Sequence, residues 1–147
     1  MHQRKGTVMN IDHVAVAVRD IDASLSYYVD QLGFTLVQDE LLPTAGVRLV
    51  YLGGGNTMLQ LVQPIAPCPV ADFLAQNGEG LHHICLQVDD IPRFLHGLPG
   101  QDAVPVVMAG RGRRACFLAS PPNGLRIEVT ETEPFEQRPA GALDEAR

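Results

Sequence analysis

The sequence lacks the features that mark secreted and membrane proteins. Only three of its 147 residues are cysteines, Cys68, Cys85 and Cys116, and no two of them form a CxxC pair. This pattern favours reduced thiols in the cytoplasm over a disulfide framework. No apolar run approaches the ~20 residues needed to span a bilayer. The first residues, MHQRKGTVMNIDH, include basic side chains with no apolar core behind them, so we expect no secretory signal.

Positive charge is also scarce. The chain has 11 Lys and Arg against 17 Asp and Glu, a formal net charge of -6, which argues against a general nucleic-acid surface. One basic cluster, formed by Arg111, Arg113 and Arg114, departs from this average. It is either a solvated loop or a site for an anionic small molecule, and we take Arg113 as its candidate substrate ligand.

Residues 8–65 predict a βαβββ module. The segment IDHVAVAVRDI alternates apolar residues as a strand does, and Asp20 can cap the helix that follows it. Apolar residues spaced along one helical face, the last of them Leu32, run up to a terminating glycine, Gly33. Further strands are predicted at residues 34–37, 47–52 and 57–62.

The second half repeats the first. In LHHICLQVDDI, His83 aligns with His13 and Asp90 with Asp20, at a constant offset of 70 residues. Internal repetition of this kind decides the fold class. We predict one α+β domain over residues 1–147. Its parts are a first module at 8–65, a linker with a short helix at 66–78, a second module at 79–132 with later strands at 104–108, 115–118 and 125–130, and a flexible tail at 133–147.

One polar residue interrupts the first strand of each module and one interrupts the fourth. These residues are His13 and Gln60 in the first module and His83 and Glu128 in the second. Alone, each is more often structural, but their doubling favours a divalent-metal site, because mixed nitrogen and oxygen donors suit Zn, Co, Ni or Mn. His82 is expected to point to the opposite face of the strand from His83.

Three segments resemble the methylmalonyl-CoA epimerases, a family within the vicinal oxygen chelate superfamily of glyoxalases, bleomycin resistance proteins and dioxygenases. They are IDHVAVAVRDI, GVRLVYLGGGNTMLQLVQP and PVADFLAQNGEGLHHICLQVDDI, of which GEGLHHI is the most specific. The resemblance covers roughly residues 10–131. It implies two tandem βαβββ modules that form a curved mixed sheet around a divalent ion (Co, Ni, Zn, Mn or Mg). It also implies an acyl-CoA substrate and a homodimer.

The resemblance also implies residue roles. The family's metal ligands correspond to His13, Gln60, His83 and Glu128, and Glu128 would also move protons. Some members carry a second acid on the third strand, where this chain has Arg48-Leu49-Val50. Arg48 therefore either faces solvent or meets an anionic group of the substrate. The turn at 119–124, AlaSerProProAsnGly, lacks the lysine and histidine of the family's HPKS-like turn, which leaves Ser120 as a candidate donor to substrate.

Other functions stay open at the level of the sequence. A glyoxalase-type lyase or isomerase would use the same metal on another small vicinal-dioxygen compound. A binding protein without catalysis is a second alternative, although such relatives typically lack the metal ligands. An extradiol dioxygenase could use His13, His83 and Glu128 for iron, but the fourth ligand, Gln60, fits that site poorly.

Overall fold

The computed structural model describes residues 8–135; most of the predicted flexible tail lies outside this range. The chain divides into two compact units. The first unit is His13–His83. The second unit combines Met1–Asp12 with Ile84–Arg147, so the boundaries fall within β1 and β5. The module boundaries derived from the sequence stay predictions.

The elements follow the order predicted for two βαβββ modules joined by a short helix. Between β6 and β7 lies a 3₁₀ turn, Gly110–Gly112. The elements are β1 (Asn10–Ala17), α1 (Ile21–Leu25, continued by a π-helical segment, Ser26–Gln31), β2 (Thr35–Leu42), β3 (Val47–Gly53), β4 (Met58–Pro64), α2 (Pro69–Asn77), β5 (Gly80–Val88), α3 (Ile91–His96), β6 (Val107–Met108), β7 (Arg114–Phe117) and β8 (Ile127–Glu131).

Both units have the same strand topology. In the first, the strands are ordered β2-β3-β4-β1, with β1 parallel to β4 and the other pairs antiparallel. In the second, the order is β5-β8-β7-β6, with β5 parallel to β8 and the other pairs antiparallel. The α+β class and the repeat of βαβββ modules are therefore confirmed.

The strand register decides which side chains share a face of the first unit. Gln60 of β4 lies opposite Ala15 of β1 and opposite Tyr51 of β3. Because side chains alternate along a strand, His13, Ala15, Tyr51 and Gln60 lie on one face, which we call the site face. The opposite face, called the helix face, packs against α1. Its buried cluster comprises Val18, Ile21, Val50, Leu52 and Leu61.

The helix that covers this face begins at Asp20 and stops before Gly33 as predicted, but its last part is π-helical. Asp20 caps α1, since its Oδ1 accepts a hydrogen bond from the backbone N–H of Ala23 at 3.2 Å. Further on, the N–H of Leu32 donates to the carbonyl of Tyr27, five residues back, at 3.0 Å. This wider π turn rotates Leu32 away from the predicted apolar face, and Leu32 is 52% exposed.

Strand β6 is much shorter than predicted. The sequence suggests a strand over residues 104–108, but only Val107 and Met108 pair with β7. Pro105 explains the difference, because its nitrogen has no hydrogen to donate to a strand ladder.

The second unit is stabilised by a buried ion pair. Glu131 on β8 is fully buried. Its carboxylate accepts hydrogen bonds from Arg114 at 2.7 and 2.8 Å and from the backbone N–H of Ile91, at the start of α3, at 2.8 Å. A buried carboxylate is tolerated when it is compensated in this way. Glu131 therefore links two strands and a helix of the second unit.

The cysteines and the helices can be compared with the expectations from the sequence. Cys68, Cys85 and Cys116 are free thiols, as expected. Burial, with the nearby charges of Glu128 and Glu131, raises the pKa of Cys116 to about 12. In the part of the chain that is described, no helix combines the length and apolar character needed to cross a membrane.

We predict that Arg114→Met will destabilise the protein strongly. The change leaves the carboxylate of Glu131 buried without its cation, which typically costs about 3–5 kcal/mol. Asp22→Ala is the control, because it removes a 75%-exposed carboxylate from Arg48 and should cost no more than about 1 kcal/mol. Urea denaturation measures both free energies of unfolding. Equal losses for the two variants would contradict the structural role given to Glu131.

Candidate metal centre

Two buried histidines meet in the first unit. His13 on β1 is 2% exposed and His83 on β5 is 8% exposed. Their Nε2 atoms face each other at 3.4 Å. The His13 ring also contacts the Tyr51 ring edge-on, with centroids 5.6 Å apart. The sequence repeat therefore brings its two matching histidines together, with a nitrogen of each aimed at the same point.

Gln60 adds an unsatisfied oxygen to the same face. Its side chain is 3% exposed, and among residues 8–135 its Oε1 atom has no hydrogen-bond partner. A buried polar atom left in this state costs about 1–3 kcal/mol, and native structures contain few of them. The oxygen is satisfied if a cation binds beside it.

The donors on this face fit a divalent ion. Two imidazole nitrogens and one amide oxygen form the mixed donor set that Zn, Co, Ni or Mn accepts. The orphaned Gln60 oxygen is the specific sign that these residues are arranged for a ligand, since a purely structural glutamine would be expected to bond to a neighbour.

Glu128 belongs to the second unit, where it holds the place that Gln60 holds in the first. It lies opposite Cys85 on β5 and Phe117 on β7, just as Gln60 lies opposite Ala15 and Tyr51. Burial, followed by the negative charge of Glu128, raises the pKa of the Cys85 thiol. The neighbour of Glu128 on β5 is thus a neutral thiol.

The expectation for His82 is wrong. Its Nδ1 lies 2.7 Å from the Nδ1 of His83, and its ring meets that of Phe73 on α2 edge-on, with centroids 4.8 Å apart. Alternation describes the direction in which each side chain leaves the backbone, and it does not fix the side-chain torsions that bring these two rings together, with centroids 5.0 Å apart. His82 therefore contacts the ring nitrogen of His83 that faces away from His13. A hydrogen bond to the ring nitrogen that does not bind the metal fixes the orientation of a ligating histidine.

The structure places Arg48 away from the donor set. It shares the helix face with Val50, and its guanidinium donates to Asp39 at 2.8 and 3.0 Å and to Asp22 at 2.9 Å. Hydrogen bonding to Asp39 is the main reason that the pKa of Arg48 is raised. Arg48 therefore belongs to a partly exposed ion-pair network, and contact between Arg48 and a substrate stays a prediction.

The basic cluster is largely neutralised by acids of the second unit. Arg111 forms a salt bridge with Asp12, and Arg113 approaches the same carboxylate at 3.7 Å. Arg113 also donates to the backbone carbonyl of Glu131 at 3.3 Å. Arg113 as a substrate ligand therefore remains a proposal that requires it to exchange or share these contacts.

Ser120 lies in the exposed turn that follows β7. Its φ angle of 52° is in the left-handed region, which is uncommon for residues other than glycine. The structure gives its hydroxyl no role, and substrate contact by Ser120 stays a prediction.

The sequence model of the glyoxalase/bleomycin resistance protein/dioxygenase superfamily matches residues 12–117. Human mitochondrial methylmalonyl-CoA epimerase is 38% identical to the chain over 96 residues, which are 62% of this chain and 54% of that protein. The chain thus spans about half the length of that curated relative.

Two solved structures are similar over more of the chain. Methylmalonyl-CoA epimerase from Mycobacterium tuberculosis has a TM-score of 0.77 and 27% identity, with 97% of each chain covered. A variant of Streptomyces coelicolor methylmalonyl-CoA epimerase, in complex with 2-nitronate-propionyl-CoA, has a TM-score of 0.75 and 29% identity. The match covers 85% of this chain and 95% of that one.

We predict that His83→Ala will lose the bound metal while the fold persists. The substitution removes one of two facing nitrogens, and the apolar clusters of the first unit do not depend on that ring. Metal content after dialysis, measured by elemental analysis beside far-UV circular dichroism, checks this. Full metal content in the variant would remove His83 from the ligand set.

We also predict that His82→Ala will weaken metal binding about 10- to 100-fold, the range found when an outer contact of a ligating histidine is lost. His96→Ala is the matched control, because His96 is an exposed histidine on α3 and its loss should leave affinity unchanged. Calorimetric titration with Co²⁺ measures the affinities of the wild type and of the two variants. Equal affinity for the His82 variant and the wild type would show that His82 does not orient His83.

Proposed function

We propose that this chain, which belongs to the glyoxalase/bleomycin resistance protein/dioxygenase superfamily, is an isomerase that inverts the α-carbon of methylmalonyl-CoA. The observation that carries the proposal is the buried donor set: two facing imidazoles and an amide oxygen without a hydrogen-bond partner among the described residues. Such a set, in a chain similar to methylmalonyl-CoA epimerases over most of its length, supports this reaction over binding without catalysis.

The proposed substrate is an acyl-CoA. The similar Streptomyces coelicolor protein binds 2-nitronate-propionyl-CoA, a thioester with an anionic group on the carbon that the epimerase would invert. The same superfamily also contains glyoxalases, which handle another small substrate with two neighbouring oxygens. Exchange of the α-proton of methylmalonyl-CoA separates these two substrate classes for this chain.

Removing a proton from a carbon between a thioester and a carboxylate leaves negative charge that must be stabilised. A divalent ion (Co, Ni, Zn, Mn or Mg), when bound, supplies the positive charge for this as a Lewis acid. His13, Gln60 and His83 would hold the ion, and we propose Glu128 as the fourth ligand. Burial of the histidine rings keeps bulk water from competing for their nitrogens.

We propose that Glu128 also transfers the proton. Its place on β8 corresponds to that of Gln60 on β4, but a carboxylate can accept a proton where an amide cannot. The carboxylate of Glu128 would take the α-proton from one face of the carbon and act as an acid in the reverse direction. Because the Cys85 thiol opposite it stays protonated, no thiolate competes for that proton.

Two other parts of the proposal concern the whole protein. A homodimer is supported by apolar side chains on β2 that face solvent in the single chain; Leu36 is 44%, Val37 54% and Leu41 60% exposed. A cytoplasmic location rests on the free cysteines alone, and the human relative is named as a mitochondrial protein.

We predict rapid, metal-dependent exchange of the α-proton of methylmalonyl-CoA with solvent deuterium. Metal-loaded and chelator-treated protein are compared by mass spectrometry, after subtraction of the spontaneous exchange. Exchange only in the loaded sample is the expected result, since the ion stabilises the charge left by the proton. With metal bound and no exchange above background, the epimerase assignment fails, and the hemithioacetal of methylglyoxal and glutathione becomes the next substrate to test.

A further inference from the structure

Inversion of a carbon centre needs a proton carrier on each face of the carbon, because the proton leaves one face and returns to the other. Under the proposed function, on which this inference rests, Glu128 provides one carrier. Strand β3 (VRLVYLG) carries no acid, and its site-face residues Val47, Leu49 and Tyr51 cannot carry the proton of a carboxylic acid. A second acid is therefore needed on the site face.

Glu40 has the position required. It lies on β2 directly opposite Leu49 of β3. In the same pair of strands, Gln38 lies opposite Tyr51, whose neighbour across β4 is Gln60. Paired residues point to the same side of a sheet, and side chains alternate along each strand. Glu40 therefore lies on the site face, with Leu49, Tyr51 and Gln60.

The residue opposite Glu40 belongs to an apolar cluster. Its neighbour Leu49 is 6% exposed and belongs to the buried cluster of this face, with Val47 and Tyr51. Glu40 itself is half-buried. The amide nitrogen of Gln38 donates to Glu40 Oε1 at 3.2 Å, and this hydrogen bond helps to orient the carboxylate.

The adjacent acid, Asp39, is arranged differently. It lies on the helix face, where the Arg48 guanidinium donates two hydrogen bonds to its carboxylate. These hydrogen bonds are the main cause of a lowered pKa for Asp39, so this carboxylate is committed to an ion pair. Of the two consecutive acids on β2, only Glu40 shares a face with the donor set.

The distance between Glu40 and the metal donors leaves room for a substrate between them. Two strand spacings separate β2 from β4, and Glu40 is two residues along from the row formed by Gln38, Tyr51 and Gln60. The backbones of Glu40 and Gln60 are therefore about 12 Å apart. Side chains on one face extend from both strands into the space above β3. We propose that Glu40 is the second acid/base of the epimerase.

The proton balance is simple. One carboxylate takes the α-proton as the C–H bond breaks, and the electron pair delocalises into the thioester carbonyl. The other group, a carboxylic acid, delivers its proton to the opposite face as the new C–H bond forms. The substrate keeps its composition, and exchange with water returns both carriers to their starting protonation states.

The test uses metal-loaded Glu40→Gln with each epimer of methylmalonyl-CoA in D₂O. We expect interconversion of the epimers to fall about 100-fold or more, the usual contribution of one acid/base group. Deuterium should still enter one epimer with retention of configuration, because Glu128 continues to remove and return a proton on its own face. Metal content should equal that of the wild type, because Glu40 is not a ligand.

Two further variants control for structural effects. Asp39→Asn changes the neighbouring carboxylate on the helix face and should epimerise at close to the wild-type rate. Glu40→Gln combined with Leu49→Glu returns a carboxylate to the residue directly opposite and should regain part of the lost rate. Glu40 is not the carrier if Glu40→Gln inverts at the wild-type rate, or loses exchange with both epimers. A wild-type protein without any exchange disproves the proposed function instead, so the two failures are distinct.

Discussion

Each unit is organised by the register of one parallel strand pair, β1 with β4 in the first unit and β5 with β8 in the second. In each pair, the residue two positions after the histidine meets the ligand-type residue of the last strand: Ala15 meets Gln60, and Cys85 meets Glu128. A slip of one residue would turn every side chain of a strand to the other face. Gln60 would then enter the apolar cluster under α1, so the hydrophobic pattern that folds β4 also positions the candidate ligand.

Buried polar groups in this protein are of two kinds. Glu131 receives three hydrogen bonds, one of them from a backbone N–H and two from an arginine, and it is explained fully by the structure around it. Gln60 is equally inaccessible, yet its oxygen has no hydrogen-bond partner among the described residues. Proteins tolerate such a loss of stability mainly at functional sites. The contrast therefore distinguishes a structural carboxylate from a group arranged for a ligand.

The two-module fold and the candidate metal ligands could be predicted from the sequence, because the internal repeat indicates the order of the strands and helices. The match of His13 with His83, and of Gln60 with Glu128, is visible without coordinates. Other features depend on contacts that no local pattern encodes. The alternation rule misplaced His82, since it does not describe how two adjacent rings orient. The partners of Arg48 lie on different elements, 9 and 26 residues away, and only pairing of β2 with β3 brings the nearer one into reach.

The pairing of β2 with β3 also decides where the acids of β2 lie. Directly opposed residues of an antiparallel pair share a face and neighbouring space, so a side chain on β2 reaches the region above Leu49 from the other side. Consecutive residues on β2, by contrast, serve opposite faces. Asp39 is held by Arg48 on the helix face, while Glu40 lies on the site face opposite Leu49. Alternation along one strand thus separates a structural acid from the proposed proton carrier.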